Sequence, residues 1–189
     1  MFKMISAMAA LVFSMTANAA TLSEVVYSQQ QQAITNSVVA QGIDWKVGDN
    51  ANYSVDMGFL KGTMVMAVKS IGADGIWITQ DMDLGFAGKQ KAEILIDQNT
   101  GATKKFIVNG QEQQIPENKM EVISVTEDKI TVPAGTFDCI HAVLKDTEKN
   151  EEMNMWVNPQ VIPISGMLKQ VAPSQFGNVT VLLKSFKKN

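Results

Sequence analysis

Short apolar runs separated by turn residues fill the sequence from Asp44 to its end, and this pattern constrains the fold more than any other feature. Runs such as "GTMVMAVKSI", "GIWITQDMDL" and "TFDCIHAVLKD" have the length and residue types of strands. Turn signals such as Gly72 to Gly75, Asn109-Gly110 and Pro133 to Gly135 lie between successive runs. The sequence therefore predicts about ten or eleven strands at hairpin spacing, joined as an antiparallel meander.

The segment "TLSEVVYSQQQQAITNSVVAQG", which precedes these runs, has a helical period instead. Thr21 or Ser23 is a candidate N-cap, and Glu24 completes a capping box with Thr21. One helix is predicted, over about residues 22–41. Because a single helix cannot cover so many strands, the sequence favours a mainly β fold with one curved antiparallel sheet, an open and incomplete β-barrel, in one domain over residues 20–189.

The first nineteen residues have the features of a secretory signal peptide. Lys3 supplies a positive charge, residues 5–15 form an apolar stretch, and Ala17-Asn18-Ala19 matches a cleavage site of small residues. We expect cleavage after Ala19 and a periplasmic location. No cysteine lies near this site, so we expect no lipid anchor, and no later apolar run has the length of a transmembrane segment.

Every basic residue in the chain is a lysine. The sequence has 16 basic and 19 acidic residues, and loss of Lys3 with the signal peptide leaves 15 basic residues and a formal charge of −4. Without arginine, the protein lacks the planar donor group that reads guanine edges and binds phosphates bidentately. We therefore expect no nucleic-acid partner.

Several predicted strands are apolar on both faces. Side chains alternate along a strand, so Met64, Met66 and Val68 point one way and Val65 and Ala67 point the other. An antiparallel sheet with one solvated face normally alternates apolar and polar residues. The pattern predicts two buried faces, which require a second layer or a cavity.

The only cysteine and the only histidine lie two residues apart in "VPAGTFDCIHAV", residues 132–143. Backbone positions two residues apart in a strand are separated by about 6.6 Å, whereas a nucleophile and its base need heteroatoms roughly 2.6 to 3.2 Å apart. The chain also lacks a G-x-S-x-G motif. We therefore expect no enzymatic activity, and we interpret Cys139 and His141 as neighbours on the buried face of a core strand.

Two Met-x-Met pairs, Met64 with Met66 and Met153 with Met155, each place two thioethers on one strand face. Methionine is flexible and suits an irregular hydrophobic site. The residues predicted to line such a site are Met64, Met66, Val68, Phe137, His141, Met153 and Met155. Cu(I) binding is the alternative interpretation, because thioethers and imidazole suit that ion. The favoured interpretation includes no cofactor and no metal.

Three segments together resemble parts of uncharacterised secreted bacterial families. They are "WKVGDNANYSVD" (45–56), "VPAGTFDCIHAV" (132–143) and "MWVNPQVIPISGMLKQ" (155–170), the last with spaced Trp, Pro, Gly and Lys residues. Those families are similar in fold to the lipoprotein-localisation carriers of LolA/LolB type. The resemblance implies an open, incomplete β-barrel whose concave face binds acyl chains under a helical lid.

Taken together, these features predict a non-enzymatic periplasmic binding or carrier module for a hydrophobic ligand, a lipid or acyl chain, held in the concave face of the sheet. A second hypothesis is an envelope accessory protein that acts through protein-protein contacts. A third is a periplasmic Cu(I)-binding protein that uses the Met-x-Met pairs. The three hypotheses differ in what the apolar face contacts.

Overall fold

A computed structural model describes residues 43–115, 120–174 and 177–189. The predicted signal peptide and the predicted helix over about residues 22–41 lie outside the described residues. Within the three described ranges the chain forms eleven strands and one turn of 3-10 helix at Gly85–Ala87. No helical segment in these ranges combines the length and the apolar character that crossing a membrane requires.

The strands alternate with short turns along the chain. In order they are β1 (Asn50–Asp56), β2 (Lys61–Gly72), β3 (Gly75–Asp83), β4 (Lys89–Ile96), β5 (Thr103–Val108), β6 (Gln111–Gln113), β7 (Met120–Val132), β8 (Gly135–Asp146), β9 (Glu151–Val157), β10 (Met167–Ser174) and β11 (Gly177–Lys187).

All eleven strands belong to one antiparallel sheet that is not closed, with the order β6-β5-β4-β3-β2-β1-β11-β10-β9-β8-β7. The first and last strands pair at its centre, where Asp56 lies opposite Thr180. From there the chain proceeds outward to β6, resumes at β7 on the other margin and returns to β11. The predicted mainly β fold, a single open antiparallel sheet, is confirmed.

Alternation within the central strands produces one buried face. Met64, Met66 and Val68 are almost inaccessible to solvent, as the strand period requires. Val65 and Ala67, which point the other way, are only half-buried. The prediction of two buried faces was therefore wrong for this strand, because small and β-branched side chains also fit a partly solvated sheet surface.

The turn between β7 and β8 packs against β11. Val132 lies opposite Gly135 across the two-residue turn that contains Pro133. The backbone N–H of Ala134 donates a hydrogen bond to the carbonyl oxygen of Leu183 at 3.2 Å. This contact joins the β7–β8 hairpin to a strand three positions away in the sheet, so the sheet curls toward its own centre.

The loop between β9 and β10 is fixed by a tyrosine from β1. The hydroxyl of Tyr53 donates to the carbonyl oxygen of Met167 at 3.3 Å and lies 3.4 Å from the hydroxyl of Ser165. Tyr53 is buried, and this burial raises the pKa of its hydroxyl above the ordinary value. The tyrosine therefore stays protonated and ties the central strand to the loop.

Two details of the strand assignment differ from expectation. In the sequence, Glu127 and Asp128 separate the apolar runs "MEVISVT" and "KITV", a pattern that predicts two strands, but both runs belong to β7. The short strand β6 has no apolar residue and was not predicted from the pattern. It forms because the Asn109-Gly110 turn, with both residues at positive φ, brings Gln111 opposite Val108.

Candidate functional site

The best candidate for a binding site is the buried face of the sheet. Residues directly opposite one another on neighbouring strands have side chains on the same face. Such opposite positions connect the two Met-x-Met pairs across the central strands. Tyr53 of β1 lies opposite both Met64 of β2 and Leu183 of β11. Gln170 of β10 lies opposite both Val181 of β11 and Met155 of β9. The buried face therefore includes five residues of the predicted lining: Met64, Met66, Val68, Met153 and Met155.

The two Met-x-Met pairs share this face but lie in distant strands. Strands β2 and β9 are separated by β1, β11 and β10, so along the sheet the pairs are roughly 19 Å apart. Each pair alone offers two thioethers. Among the described residues, no group of three or more His, Cys, Asp and Glu side chains is placed to hold a metal ion.

Two buried glutamines lie on this largely apolar face, Gln170 of β10 and Gln80 of β3. Gln80 lies opposite Met66 in β2 and Ala92 in β4 and is only 5% exposed. Its Oε1 atom has no hydrogen-bond partner among the residues that the structure describes. A buried acceptor without a partner is costly, so this atom is a candidate acceptor for a ligand hydroxyl or amide N–H. Its position in the alternation Ile76, Ile78, Gln80 was the signal that the sequence prediction missed.

The opposite face carries a stack of three side chains from adjacent strands, the outer stack of His141, Trp156 and Lys169. The imidazole of His141 lies parallel to the indole of Trp156, with 4.3 Å between ring centroids. The ammonium group of Lys169 lies 4.6 Å from the centre of the indole, a cation–π contact. The indole N–H donates to Asp128 Oδ2 at 2.8 Å.

His141 was predicted to line the same face as the methionines, and this grouping was wrong. It lies opposite Trp156, whereas its neighbour Ala142 lies opposite Met155. Alternation therefore places His141 on the outer face, where its Nε2 donates to Asn154 Oδ1 at 2.9 Å. Imidazole and thioethers point to opposite sides of the sheet and cannot bind the same copper ion.

Phe137 and Cys139 lie in the part of β8 nearest the Pro133 turn. Phe137 is half-buried and packs edge-on against Phe186, with ring centroids 6.3 Å apart. Cys139 is buried, as expected, but His141 is not, so the two are not neighbours on a buried face. Burial raises the pKa of the Cys139 thiol, and the charges of Asp128 and Asp138 raise it further.

Residues of the three segments that resemble secreted families mainly hold the fold together. Asp49 is fully buried, and its Oδ1 accepts hydrogen bonds from the backbone N–H and side-chain amide of Asn189 at 2.7 and 3.0 Å. Asn158 donates from its amide to the carbonyl oxygen of Asp138 at 2.8 Å. These contacts fasten the C-terminus and the β9–β10 loop, so they explain the motifs without a ligand.

The buried face reaches solvent at one margin of the sheet. Val122 and Val125 of β7 lie opposite Leu144 and Ala142 of β8, which places all four side chains on the same face. Leu144 is 2% exposed, whereas Val122 and Val125 are 44% and 58% exposed. The apolar surface thus extends from the core to an uncovered edge.

Comparison with known proteins places the fold but no family. No protein-family model and no curated protein matches the sequence. The hypothetical protein CT021 from Chlamydia trachomatis has 10% sequence identity and a TM-score of 0.53, with 82% of this chain and 92% of that chain covered. This likeness shows a shared fold.

Two further structures are more distant. An exported protein with YmcC-like fold from Bacteroides fragilis has 11% identity and a TM-score of 0.40, covering 78% of this chain and 99% of that one. MucB has 9% identity and a TM-score of 0.47, covering 87% of this chain and 59% of that one.

Proposed function

We propose that the protein is a non-enzymatic periplasmic module that binds the hydrocarbon chain of a lipid or another hydrophobic molecule on the buried face of its sheet. The observation that carries the proposal is the buried, largely apolar face, on which the register aligns Met64, Met66 and Val68 with Met153 and Met155. The A-x-A cleavage pattern at Ala17 to Ala19 supports the periplasmic location.

The energetics of such binding need no charged group. Transfer of a methylene from water to an apolar site contributes about 0.8 kcal/mol, so a chain of about fourteen methylenes gains about 11 kcal/mol before the costs of binding. The lining is almost fully buried, so a ligand must displace side chains that now contact one another. Methionine, unbranched and flexible, permits this rearrangement at low cost.

The first test is to identify what the protein carries. Protein purified from the periplasm is analysed by native mass spectrometry and then extracted with organic solvent for lipid analysis. We expect a lipid adduct that organic solvent removes. A protein that has no adduct and also fails to bind an added fatty acid would overturn the proposal.

The second test locates the ligand. A fatty acid with a photoreactive diazirine in its chain is cross-linked to the protein, and the modified residues are identified by tandem mass spectrometry. We expect modification of Met153, Met155 and Leu144, whereas modification confined to the outer stack would contradict the proposed face.

Two variants provide a matched comparison: Ala142→Phe, opposite Met155, fills the buried face, and Ala67→Phe adds the same ring to the other face. Only Ala142→Phe should weaken fatty-acid binding.

A further inference from the structure

Strand β7 forms a long and exposed edge of the sheet. It runs from Met120 to Val132 and pairs only with β8 among the described strands. The other edge strand, β6, has three residues. One side of β7 therefore has no neighbouring strand among the described strands, which is the feature that lets an extended peptide add to a sheet.

The side chains on this edge include a group of exposed apolar residues, which we call the β7 patch. It consists of Val122, Ile123 and Val125 of β7, together with Ile140 of the neighbouring strand β8. Val125 and Val122 lie on the same face as half-buried Ala142 and buried Leu144, so an added strand could continue the apolar surface. Exposed apolar groups of this kind mark interaction sites when they adjoin unpaired backbone.

The strands around this edge carry a net negative charge. Residues 120–157, which form β7, β8 and β9, contain eight Asp and Glu but three Lys, a net charge of −5, while the complete chain has −3. A second copy of this edge would bring two strongly negative surfaces together. A strand with positive charges is attracted to the same surface.

The edge also carries features that discourage pairing with its own kind. A bulge interrupts the β7–β8 register between Val122 and Ser124, and Glu127, Asp128 and Lys129 follow in the same strand. Bulges and charged side chains on edge strands are the usual protection against self-association. They leave pairing with a strand of opposite charge possible.

We propose that the β7 edge binds an extended cationic segment of a partner protein, in which Lys or Arg alternates with apolar residues. The segment adds as a twelfth strand next to β7. Its apolar side chains pack on Val122 and Val125, and its basic side chains face the acidic surface of β7 to β9. This role is separate from hydrophobic-ligand binding and does not depend on it.

The test uses a labelled peptide, acetyl-KVKVKVK-amide, and a second peptide of the same sequence with alternate amide nitrogens methylated. Both have the same charge, but the methylated peptide cannot form a ladder of backbone hydrogen bonds. Fluorescence anisotropy should detect saturable binding of the first peptide, weakened by salt, and at least about tenfold weaker binding of the second. Equal affinity for the two peptides would show simple charge adsorption and overturn the proposal.

A pair of variants tests the location. Val125→Lys and Val47→Lys make the same change at residues that are 58% and 59% exposed, but only Val125 belongs to the β7 patch. We expect Val125→Lys to weaken peptide binding about tenfold and Val47→Lys to leave it unchanged. If both variants bind like the unaltered protein, the location is wrong.

Amide hydrogen exchange gives a readout that needs no substitution. Addition of the unmethylated peptide should slow exchange in residues 120–132 and leave residues 111–113 of the opposite edge unchanged. Slowed exchange elsewhere but not in β7 contradicts the proposal. Sedimentation of the protein alone should show a monomer, and a dimer that the peptide cannot dissociate would assign this edge to a second copy instead.

Discussion

The imidazole of His141 lies flat against the indole of Trp156, with ring centroids 4.3 Å apart and ring planes 7° from parallel. The two residues come from neighbouring strands and from two segments that resemble secreted families. Lys169 covers the indole, and Asp128 accepts its N–H. The stack therefore connects four consecutive strands, β7 to β10, on the face opposite the proposed ligand site.

Replacement of Trp156 tests what the outer stack contributes to stability. Trp156→Ala should lower the free energy of unfolding by about 2 kcal/mol, less than for a fully buried Trp, because the residue is half-buried. Trp156→Phe keeps an aromatic ring but removes the hydrogen bond to Asp128, so its effect should be smaller and should depend on pH. Urea unfolding followed by circular dichroism measures both changes.

The sign of this pH dependence follows from Asp128. The Trp156 N–H, and next the backbone N–H of Lys129, hold the pKa of Asp128 below its usual value. The stabilisation that these hydrogen bonds give the folded protein is present above the ordinary aspartate pKa, about 3.9. It is lost as pH falls through the lower pKa that Asp128 has in the folded protein. The difference between the unaltered protein and Trp156→Phe should shrink in acid, whereas Trp77→Phe in β3 should show no such change. A difference that persists below about pH 2 would rule out the hydrogen bond as its cause.

Gln80 should limit the stability of the ligand-free protein. Gln80→Met removes a buried acceptor that has no partner among the described residues and keeps the side-chain length, so the free energy of unfolding should rise by about 1 kcal/mol or more. Gln113→Met, at an exposed position of β6, is the control and should change little. If the bound ligand donates a hydrogen bond to Gln80, Gln80→Met should bind a hydroxylated fatty acid less tightly but bind the unsubstituted acid as before. A destabilised Gln80→Met variant would mean that the amide is satisfied in solution.

Apolar runs and turn signals predicted most of the strands, and alternation predicted which residues share a face within one strand. Met64, Met66 and Val68 lie together because the strand period allows no other arrangement. Which residues of neighbouring strands share a face was not predictable, because it depends on the register between the strands. His141 was grouped with Met155, yet the register places Ala142 opposite that methionine. Bulges such as the one between Val68 and Ser70 shift the relation again.

The predicted strand boundaries were wrong where polar residues lie within an edge strand. Glu127 and Asp128 were read as the end of a strand, but β7 continues through them. On an edge strand these carboxylates project into solvent, so they interrupt the apolar pattern without ending the backbone pairing. The polar strand β6 shows the converse, because its turn and not its side chains determines the pairing.

The Cys139 thiol should be unreactive in the folded protein. It is buried, and burial together with Asp128 and Asp138 raises its pKa, so little thiolate exists at neutral pH. Iodoacetamide should modify it slowly in buffer and rapidly in urea, as measured by mass spectrometry. Rapid modification in buffer would show that the β7–β8 hairpin opens.

The same shift gives a pH dependence of stability. The pKa of the Cys139 thiol is higher in the folded than in the unfolded protein. Its contribution to the free energy of unfolding is therefore complete below about pH 8.5, the ordinary cysteine value, and declines as pH rises through the folded pKa. The free energy of unfolding should therefore fall in that alkaline range. Cys139→Val, which keeps a small apolar side chain, should remove this part of the decline, and an unchanged decline would assign it to other groups.

Gly166, in the β9–β10 loop, should tolerate replacement poorly. Its φ is 67°, a conformation that favours glycine, and an added Cβ would lie 2.8 Å from the Cα of Pro159. Gly58 has φ 81° with open space around it, so Gly58→Ala measures the backbone strain alone, about 1 kcal/mol. Gly166→Ala should cost clearly more, because the loop must shift and the 2.7 Å hydrogen bond from Asn158 N–H to the Gly166 carbonyl oxygen is disturbed. Chemical denaturation of both variants measures the difference, and equal losses would show that the loop accommodates the methyl group without strain.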